Sequence, residues 1–328
     1  MVSKICLGTM NLGSAADEAE SFRMLDVALD RGVNFIDTAN GYGGGRSEEV
    51  VGAGLARNGK RDKVVLATKV HFPTSDDPND RGNGRRHIIE QCEASLKRLA
   101  TDRIDLYQLH RADPSVPIEE TLLALDTLVR AGKVRYIGTS TFPAWRLVEA
   151  NLIADRLGVS RFVSEQPPFH MLDRQLEKTL IPAARSYGVG IIPWSPLAGG
   201  MLTGKYSAAD VAGSAEGRLA GDDEWAGWHR RDRAFAVVDL LREIAANHAA
   251  TVSQVALAWS AAQPGITCPI IGPKNLAQLE ENLGGADVVL TREDLARIDE
   301  LSPPGDSIVP YIWSPWVTPD SFAPHQYR

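Results

Sequence analysis

Val64-Val65-Leu66-Ala67-Thr68 is a short run of aliphatic residues that gives way to an amphipathic stretch, Arg85–Leu99. A second strand-type run, Asp105-Leu106-Tyr107-Gln108-Leu109, follows it. Largely apolar runs without clean alternation suit strands buried on both faces, as in a parallel sheet flanked by helices. The same unit repeats outward in both directions. Strands are predicted upstream at Ile5–Leu7 and Asn34–Asp37, and downstream at Tyr136–Thr139, Phe162–Gln166, Gly190–Pro193 and Cys268–Ile271. Helices are predicted over Glu20–Arg31, Glu48–Arg57, Ile118–Ala131, Ala144–Leu157, Arg174–Tyr187, Arg233–His248 and Asn275–Leu283, with Gly32 stopping the first.

Eight strand–helix pairs in one unbroken series predict an α/β fold, a single-domain (β/α)₈ barrel of the TIM type. A doubly wound sheet would have fewer strands and usually a glycine-rich turn after the first. Here Leu7 is followed by Gly8-Thr9-Met10-Asn11. In this reading residues 1–302 form the barrel and 303–328 a C-terminal tail packing over the active-site mouth. Gly204–Asp232 also breaks the rhythm, and long excursions after barrel strands commonly cover that mouth. Trp225, Trp228, Tyr311, Trp313 and Trp316 in these segments are candidate walls for a sugar or an aromatic carbonyl. The alternative for the tail aromatics is packing on a second subunit, so an oligomer stays open.

The composition is ordinary for a globular protein, with 44% hydrophobic and 23% charged residues among 328. A formal net charge of −7 argues against nucleic-acid and anionic-membrane partners, which normally require a basic face. No run reaches the roughly 18 apolar residues of a membrane span. Lys4 precedes only a short apolar stretch and then the acidic Asp17 to Glu20, unlike a signal peptide. Cys6, Cys92 and Cys268, odd in number and widely spaced, suit neither a disulfide framework nor a zinc site. A cytoplasmic protein with no metal is the expectation.

Barrel enzymes place their chemistry at the carboxyl ends of the strands. Reading only those positions gives Asp37 at the end of the second strand, Tyr42 in the loop beyond it, Lys69 after the third and His110 after the fourth. A phenol is a weak acid at neutral pH, and a neighbouring ammonium makes it a better proton donor. Lys69 can supply that charge, Asp37 can hold Lys69, and His110 can donate a hydrogen bond to a substrate oxygen. Each residue alone also suits a bland role: a rim ion pair, a core histidine, a tyrosine packed on a glycine turn. Together, at successive strand ends, they suit carbonyl reduction by a hydride donor.

These residues sit in longer motifs, and through them the chain resembles the aldo-keto reductases from about Ser3 to Leu301. The motifs are Phe35-Ile36-Asp37-Thr38-Ala39-Asn40-Gly41-Tyr42-Gly43, Val65-Leu66-Ala67-Thr68-Lys69, Asp105-Leu106-Tyr107-Gln108-Leu109-His110 and Gly132-Lys133-Val134-Arg135-Tyr136-Ile137-Gly138. The resemblance implies a catalytic tetrad of Asp37, Tyr42, Lys69 and His110, with Tyr42 the general acid. It also implies an NADPH site. Ser140, Thr141 and Gln166 match the positions that meet the carboxamide, and Trp194 matches the aromatic under the nicotinamide. Ser195, Pro196, Leu197, Gly199 and Lys205 match the pyrophosphate loop; Gly272, Lys274, Gln278, Glu281 and Asn282 match the adenosine end. Lys274 stands where the family meets a 2′-phosphate, hence NADPH over NADH.

Three departures are visible. Thr141 replaces a common Asn, Asn40 replaces a common acid, and the hairpin that usually precedes the first strand is expected to be missing. Gly199–Tyr206 approaches a P-loop spacing, but Tyr206 stands where a magnesium-binding Ser or Thr is needed. No Tyr lies four residues before a Lys, and neither HExxH nor a paired CxxC occurs. The expected function is therefore NADPH-dependent reduction of a small aldehyde or ketone. The alternative is a cofactor-binding regulatory subunit with vestigial catalysis, as in relatives that dock on a channel. That docking role normally shows in an N-terminal extension, which is not expected here.

Overall fold

Inward-facing side chains along the strands change from apolar to polar in one direction, and this gradient organises the molecule. The computed structural model describes residues 1–206, 219, 227 and 231–310. Its strands are β1 (Cys6–Gly8), β2 (Phe35–Asp37), β3 (Val65–Val70), β4 (Ile104–Leu109), β5 (Val134–Ser140), β6 (Phe162–Gln166), β7 (Gly190–Ile191) and β8 (Ile270–Ile271). All pair in parallel in the order β7-β6-β5-β4-β3-β2-β1-β8. The ends of that series meet. Ile191 and Ile266 form a parallel bridge, Thr267 N donates to Ile191 O at 2.7 Å, and Ile270 N donates to Pro193 O at 2.8 Å. The sheet thus curls into the (β/α)₈ arrangement read from the sequence. Residues 1–5 contain no strand.

Because side chains alternate along a strand, the register decides which residues line the barrel. Cys6, Phe35, Ala67, Leu106, Ile192, Cys268 and Ile270 pack together as one apolar cluster. Two residues onward along the same faces come Asp37 from Phe35, Lys69 from Ala67 and Gln108 from Leu106, all buried. The intervening Ile36, Leu66, Tyr107 and Leu109 join the larger cluster between sheet and helices. Apolar filling at one end and polar groups at the other place the site at the carboxyl ends.

The helices are α1 (Glu18–Asp30), α2 (Arg46–Asn58), α3 (Arg85–Arg98), α4 (Ile118–Arg130), α5 (Ala144–Leu157), α6 (Leu180–Ser186), α7 (Asp232–Asn247), α8 (Val252–Ala262), α9 (Leu276–Leu283) and α10 (Arg292–Leu301). α4 shows the usual logic. It buries Ile118, Leu122, Leu125 and Leu128 on one stripe, with Glu119 and Glu120 in its first turn and Arg130 in its last. Among the described residues no helix is long and apolar enough to cross a membrane.

Three elements differ from the sequence reading. Arg174–Tyr187 is not one helix: a 3₁₀ turn at Gln175–Lys178 is followed by a break at Thr179 and then α6. Pro182 explains the break, since its ring would strike the carbonyl four residues back, at Lys178, in a continuous helix. α8 was not expected because it is apolar all round, burying Val255 through Trp259 without a polar stripe. α10 was not expected either. Both begin with capping boxes, Thr251 with Gln254 and Thr291 with Asp294, which are legible signals.

Beyond α10 the chain runs to the loop after β6. Ile308 N and Val309 N donate to Leu172 O at 2.9 Å, Arg174 N donates to Asp306 O at 2.8 Å, and Ile308 and Val309 are buried. The suggested pocket walls Trp225, Trp228, Tyr311, Trp313 and Trp316 lie outside the described residues.

Candidate active site

Tyr42 is carried by a turn that only glycine can build. After β2 the chain makes a 3₁₀ turn over Tyr42–Gly45, with φ of 57° at Gly43, 65° at Gly44 and 99° at Gly45. At Gly45 a Cβ would also fall 2.8 Å from the Arg98 side chain, so conformation and space both demand glycine. Arg98 is held there because its Nε donates to Glu48 Oε2 at 2.6 Å, while Thr68 Oγ1 donates to Glu48 Oε1 at 2.5 Å. Glu48 is completely buried. This knot ties α2, β3 and α3 together beneath the turn that presents Tyr42.

Lys69, fully buried at the end of β3, has three acceptors. Its Nζ donates to Asp37 Oδ2 at 2.5 Å, to Thr38 O at 2.8 Å and to the Tyr42 hydroxyl at 3.3 Å. Three acceptors match the three N–H groups of an ammonium, whereas a neutral amine has two. Burial alone would lower the Lys69 pKa, but Asp37 and Tyr42 outweigh it and the net shift is upward. Asp37 is satisfied on its other oxygen: Gln108 Nε2 and Gln166 Nε2 each donate to Oδ1 at 2.9 Å. Since the Tyr42 oxygen accepts from Lys69, its own proton is left to point elsewhere.

His110 completes the cluster. Its ring meets Tyr42 edge-on, with centroids 5.7 Å apart, and Phe72 at 4.7 Å. Burial holds the imidazole well below its ordinary value of 6.5, and the Lys69 and Arg111 charges push the same way, so it is neutral. Its Nδ1 is buried without a hydrogen-bond partner among the described residues. The four sequence-predicted residues Asp37, Tyr42, Lys69 and His110 therefore meet at one rim.

The residues matched to a cofactor lie on the loops and ends of the remaining strands. At the end of β5, Ser140 Oγ donates to Gln166 O at 2.8 Å and lies 3.4 Å from Thr141 Oγ1. Trp194 is tied to the end of β6, its N–H donating to Pro167 O at 2.9 Å. The following loop, with Ser195, Pro196 and Leu197, has left-handed backbone at Ser195, Ala198, Gly199, Gly200 and Gly204. Lys205 ends it, with its ammonium 4.9 Å from the Tyr206 ring. After β8, Gly272 is exposed, and its carbonyl accepts from Asn11 Nδ2 at 2.9 Å. Lys274 N donates to Gln278 Oε1 at 2.9 Å, while Glu281 O accepts from Gln254 Nε2 and Asn282 is buried.

Four residues of this rim went unnoticed in the sequence: Gln108, Arg111, Glu165 and Asn11. Gln108 could have been found, because it lies two positions before His110 and so shares its face. Glu165 accepts from Phe142 N at 3.0 Å and from Thr139 Oγ1. Burial raises its carboxyl to about 7, although these donors favour the ionised form. Its role needs the turn at Thr141, where φ is 57°, to be known first. Asn40, the departure noted beside the turn, donates through Nδ2 to Gln91 Oε1 at 3.0 Å, and its Oδ1 is buried without a partner among the described residues.

Comparison with known proteins bears on this arrangement. A sequence model of the aldo/keto reductase family matches residues 4–303. An uncharacterized oxidoreductase of Bacillus subtilis, YrpG, is 41% identical over 95% of this chain and 96% of its own. A probable voltage-gated potassium channel subunit beta of Arabidopsis thaliana is 36% identical, covering 92% of this chain and 93% of its own. The versiconal hemiacetal acetate reductase of Aspergillus parasiticus is 34% identical, covering 91% and 93%. With the barrel, the family match and these relatives together, the chain belongs to the aldo/keto reductase family of oxidoreductases.

Proposed function

We propose that this chain reduces an aldehyde or ketone to an alcohol, with NADPH as cofactor, Tyr42 as general acid and Asp37, Lys69 and His110 as its supports. The observation that carries this reading is the three-way donation by Lys69, which orients the phenol so that its proton is the one free to leave. A reduced nicotinamide, when bound, supplies the hydride. Lys69 stabilises the phenolate left behind, and Asp37 keeps Lys69 in place. A neutral His110 has one N–H; carrying it on Nε2 avoids stranding a donor at the unpartnered Nδ1, and that N–H can then hold the substrate oxygen.

The residues present fit the cofactor. Gln166 Oε1 has no partner among the described residues, and the Ser140 and Thr141 hydroxyls stand at the neighbouring strand end, Ser140 Oγ on the Gln166 main-chain carbonyl, a set of donors and acceptors that suits the C=O and NH₂ of a carboxamide. The loop after β7, which matches the family's pyrophosphate loop, turns through left-handed backbone at Ser195, Ala198, Gly199 and Gly200, with Ala198 N and Gly200 N already donating to Ser195 O and Leu197 O. Lys205 and Lys274 have no carboxylate partner among the described residues, and Lys274 precedes the N-terminus of α9, where a phosphate is favoured. This supports NADPH over NADH.

The test is cofactor oxidation, followed by absorbance, across aliphatic, aromatic and sugar carbonyls. Saturable turnover is expected with at least one class, and faster with NADPH than with NADH. A second reading, a cofactor-binding regulatory subunit, draws support from the relatives named as potassium channel subunits. Tight NADPH binding with negligible turnover on every carbonyl would favour that reading and contradict the first.

A further inference from the structure

Arg111 follows His110 directly and is only 9% exposed. Its Nη1 donates to His110 O at 2.7 Å and to Thr141 Oγ1 at 3.3 Å. Its Nε and Nη2 have no acceptor among the described residues, and no carboxylate there pairs with it. Among the described residues, the buried Lys69, Glu48 and Arg174 are each paired: Lys69 with Asp37, Glu48 with Arg98, and Arg174 with Glu177 and Asp299. A buried cation without its counter-charge is costly and suits a site that awaits an anion. Burial lowers the Arg111 pKa, with Tyr42 and then Glu165 acting the other way, and both Glu165 oxygens are occupied, by Thr139 Oγ1 and Phe142 N–H. Burial also raises Glu165 to about 7, so near neutral pH it is only a partial counter-charge.

The backbone of Arg111 is fixed from the far side. Asn83 Nδ2 donates to Arg111 O at 2.9 Å, and Asn83 N in turn donates to Asp113 Oδ2. The guanidinium carbon lies 5.6 Å from the centroid of the Phe72 ring, and that ring packs on His110. Phe72 is itself 38% exposed, so it presents an aromatic surface between the imidazole and solvent. Tyr42 and His110 mark where a carbonyl oxygen would sit. The guanidinium stands beside that place, its carbon against the Phe72 ring that packs on His110, and its Nε and Nη2 carry three N–H groups uncommitted among the described residues.

We infer that Arg111 is the anion-recognition residue of the carbonyl pocket, and that its preferred substrates are aldehydes or ketones carrying a carboxylate or phosphate group near the carbonyl. This rests on the reductase reading given above. A guanidinium binds either group through parallel N–H donors, so the two sources share one chemistry.

The experiment compares matched pairs with the NADPH-loaded protein: succinic semialdehyde against its methyl ester, 3-carboxybenzaldehyde against its methyl ester, and glyceraldehyde 3-phosphate against glyceraldehyde. Charge-assisted hydrogen bonds predict a preference for the anionic member of at least one pair of about 10- to 100-fold in kcat/KM. The first two pairs report carboxylate and the third phosphate. In Arg111→Gln the anionic-to-neutral ratio should fall to near one, mainly through KM, while Arg111→Lys should retain part of it. Equal loss on both members of a pair, with weakened NADPH binding, would make Arg111 a support for Thr141 and overturn the inference. If neither variant folds, the wild-type ratios decide: parity in all three pairs overturns it. Reduction of neutral and anionic members alike sinks this inference alone, whereas no reduction of any carbonyl sinks the reductase reading with it.

Discussion

Replacing Tyr42 by phenylalanine should lower kcat by about 10²–10⁴-fold, the usual worth of a general acid, while leaving NADPH affinity nearly unchanged. The substitution keeps the ring, and with it the edge-on contact to His110 and the Lys69 ammonium 4.9 Å from the ring centroid. Only the hydroxyl is lost, one of three acceptors for Lys69. Because that hydroxyl acts on the substrate oxygen as charge develops there, kcat and kcat/KM should fall together, with little change in KM. Steady-state kinetics and fluorescence titration of the cofactor separate these quantities. A variant with undiminished kcat would remove Tyr42 from the chemistry.

Lys69→Met should be damaging twice over. The methionine fills similar volume, but Asp37 is left fully buried without a counter-charge. Breaking a buried pair by removing one partner typically costs about 3–5 kcal/mol. The Gln108 and Gln166 amides remain on Asp37 Oδ1, which places the expected loss toward the lower end of that range. Catalysis should fall by at least about 10²-fold, since the phenolate formed during proton transfer loses its ammonium. Chemical denaturation measures the first effect and turnover the second. The net upward shift of the Lys69 pKa gives the sign of the pH dependence. The ion pair's contribution is fully present below 10.5 and is lost only as pH rises through the higher folded value. The stability gap between wild type and variant should therefore be flat through neutral pH and narrow as pH rises into strong alkali. Adding Asp37→Asn to Lys69→Met should restore part of the stability but none of the activity, because it removes the stranded charge.

The strand ends were legible because β2, β3 and β4 are marked by apolar runs that stop at Asp37, Lys69 and His110. Once a barrel is assumed, such stops fall at one rim. Tyr42 could be placed from the glycines that follow it, which signal a turn. Gln108 shares a face with His110 two positions on and was open to reading, but Glu165 was hidden, because in Ser164-Glu165-Gln166 which side chain faces the barrel and which the helices depends on register, and register is not written locally. Arg111 looks like a surface residue at the start of a loop; only the packing of Phe72 and Thr141 around it shows a buried cation. The knot of Glu48, Thr68 and Arg98 joins three elements far apart in the chain, and no periodicity announces it. The nicotinamide positions followed from the resemblance to a family, since nothing in the spacing of Ser140, Gln166 and Trp194 signals a ligand.

The most direct test is to reduce a carbonyl compound with NADPH that carries deuterium at the transferring position of the nicotinamide, and to locate the label in the alcohol. The tetrad reading predicts deuterium on the carbinol carbon, delivered from one face of the ring only, in wild-type protein and at a greatly reduced rate in Tyr42→Phe. An alcohol free of deuterium, or a carbonyl left unreduced by protein saturated with cofactor, would contradict it.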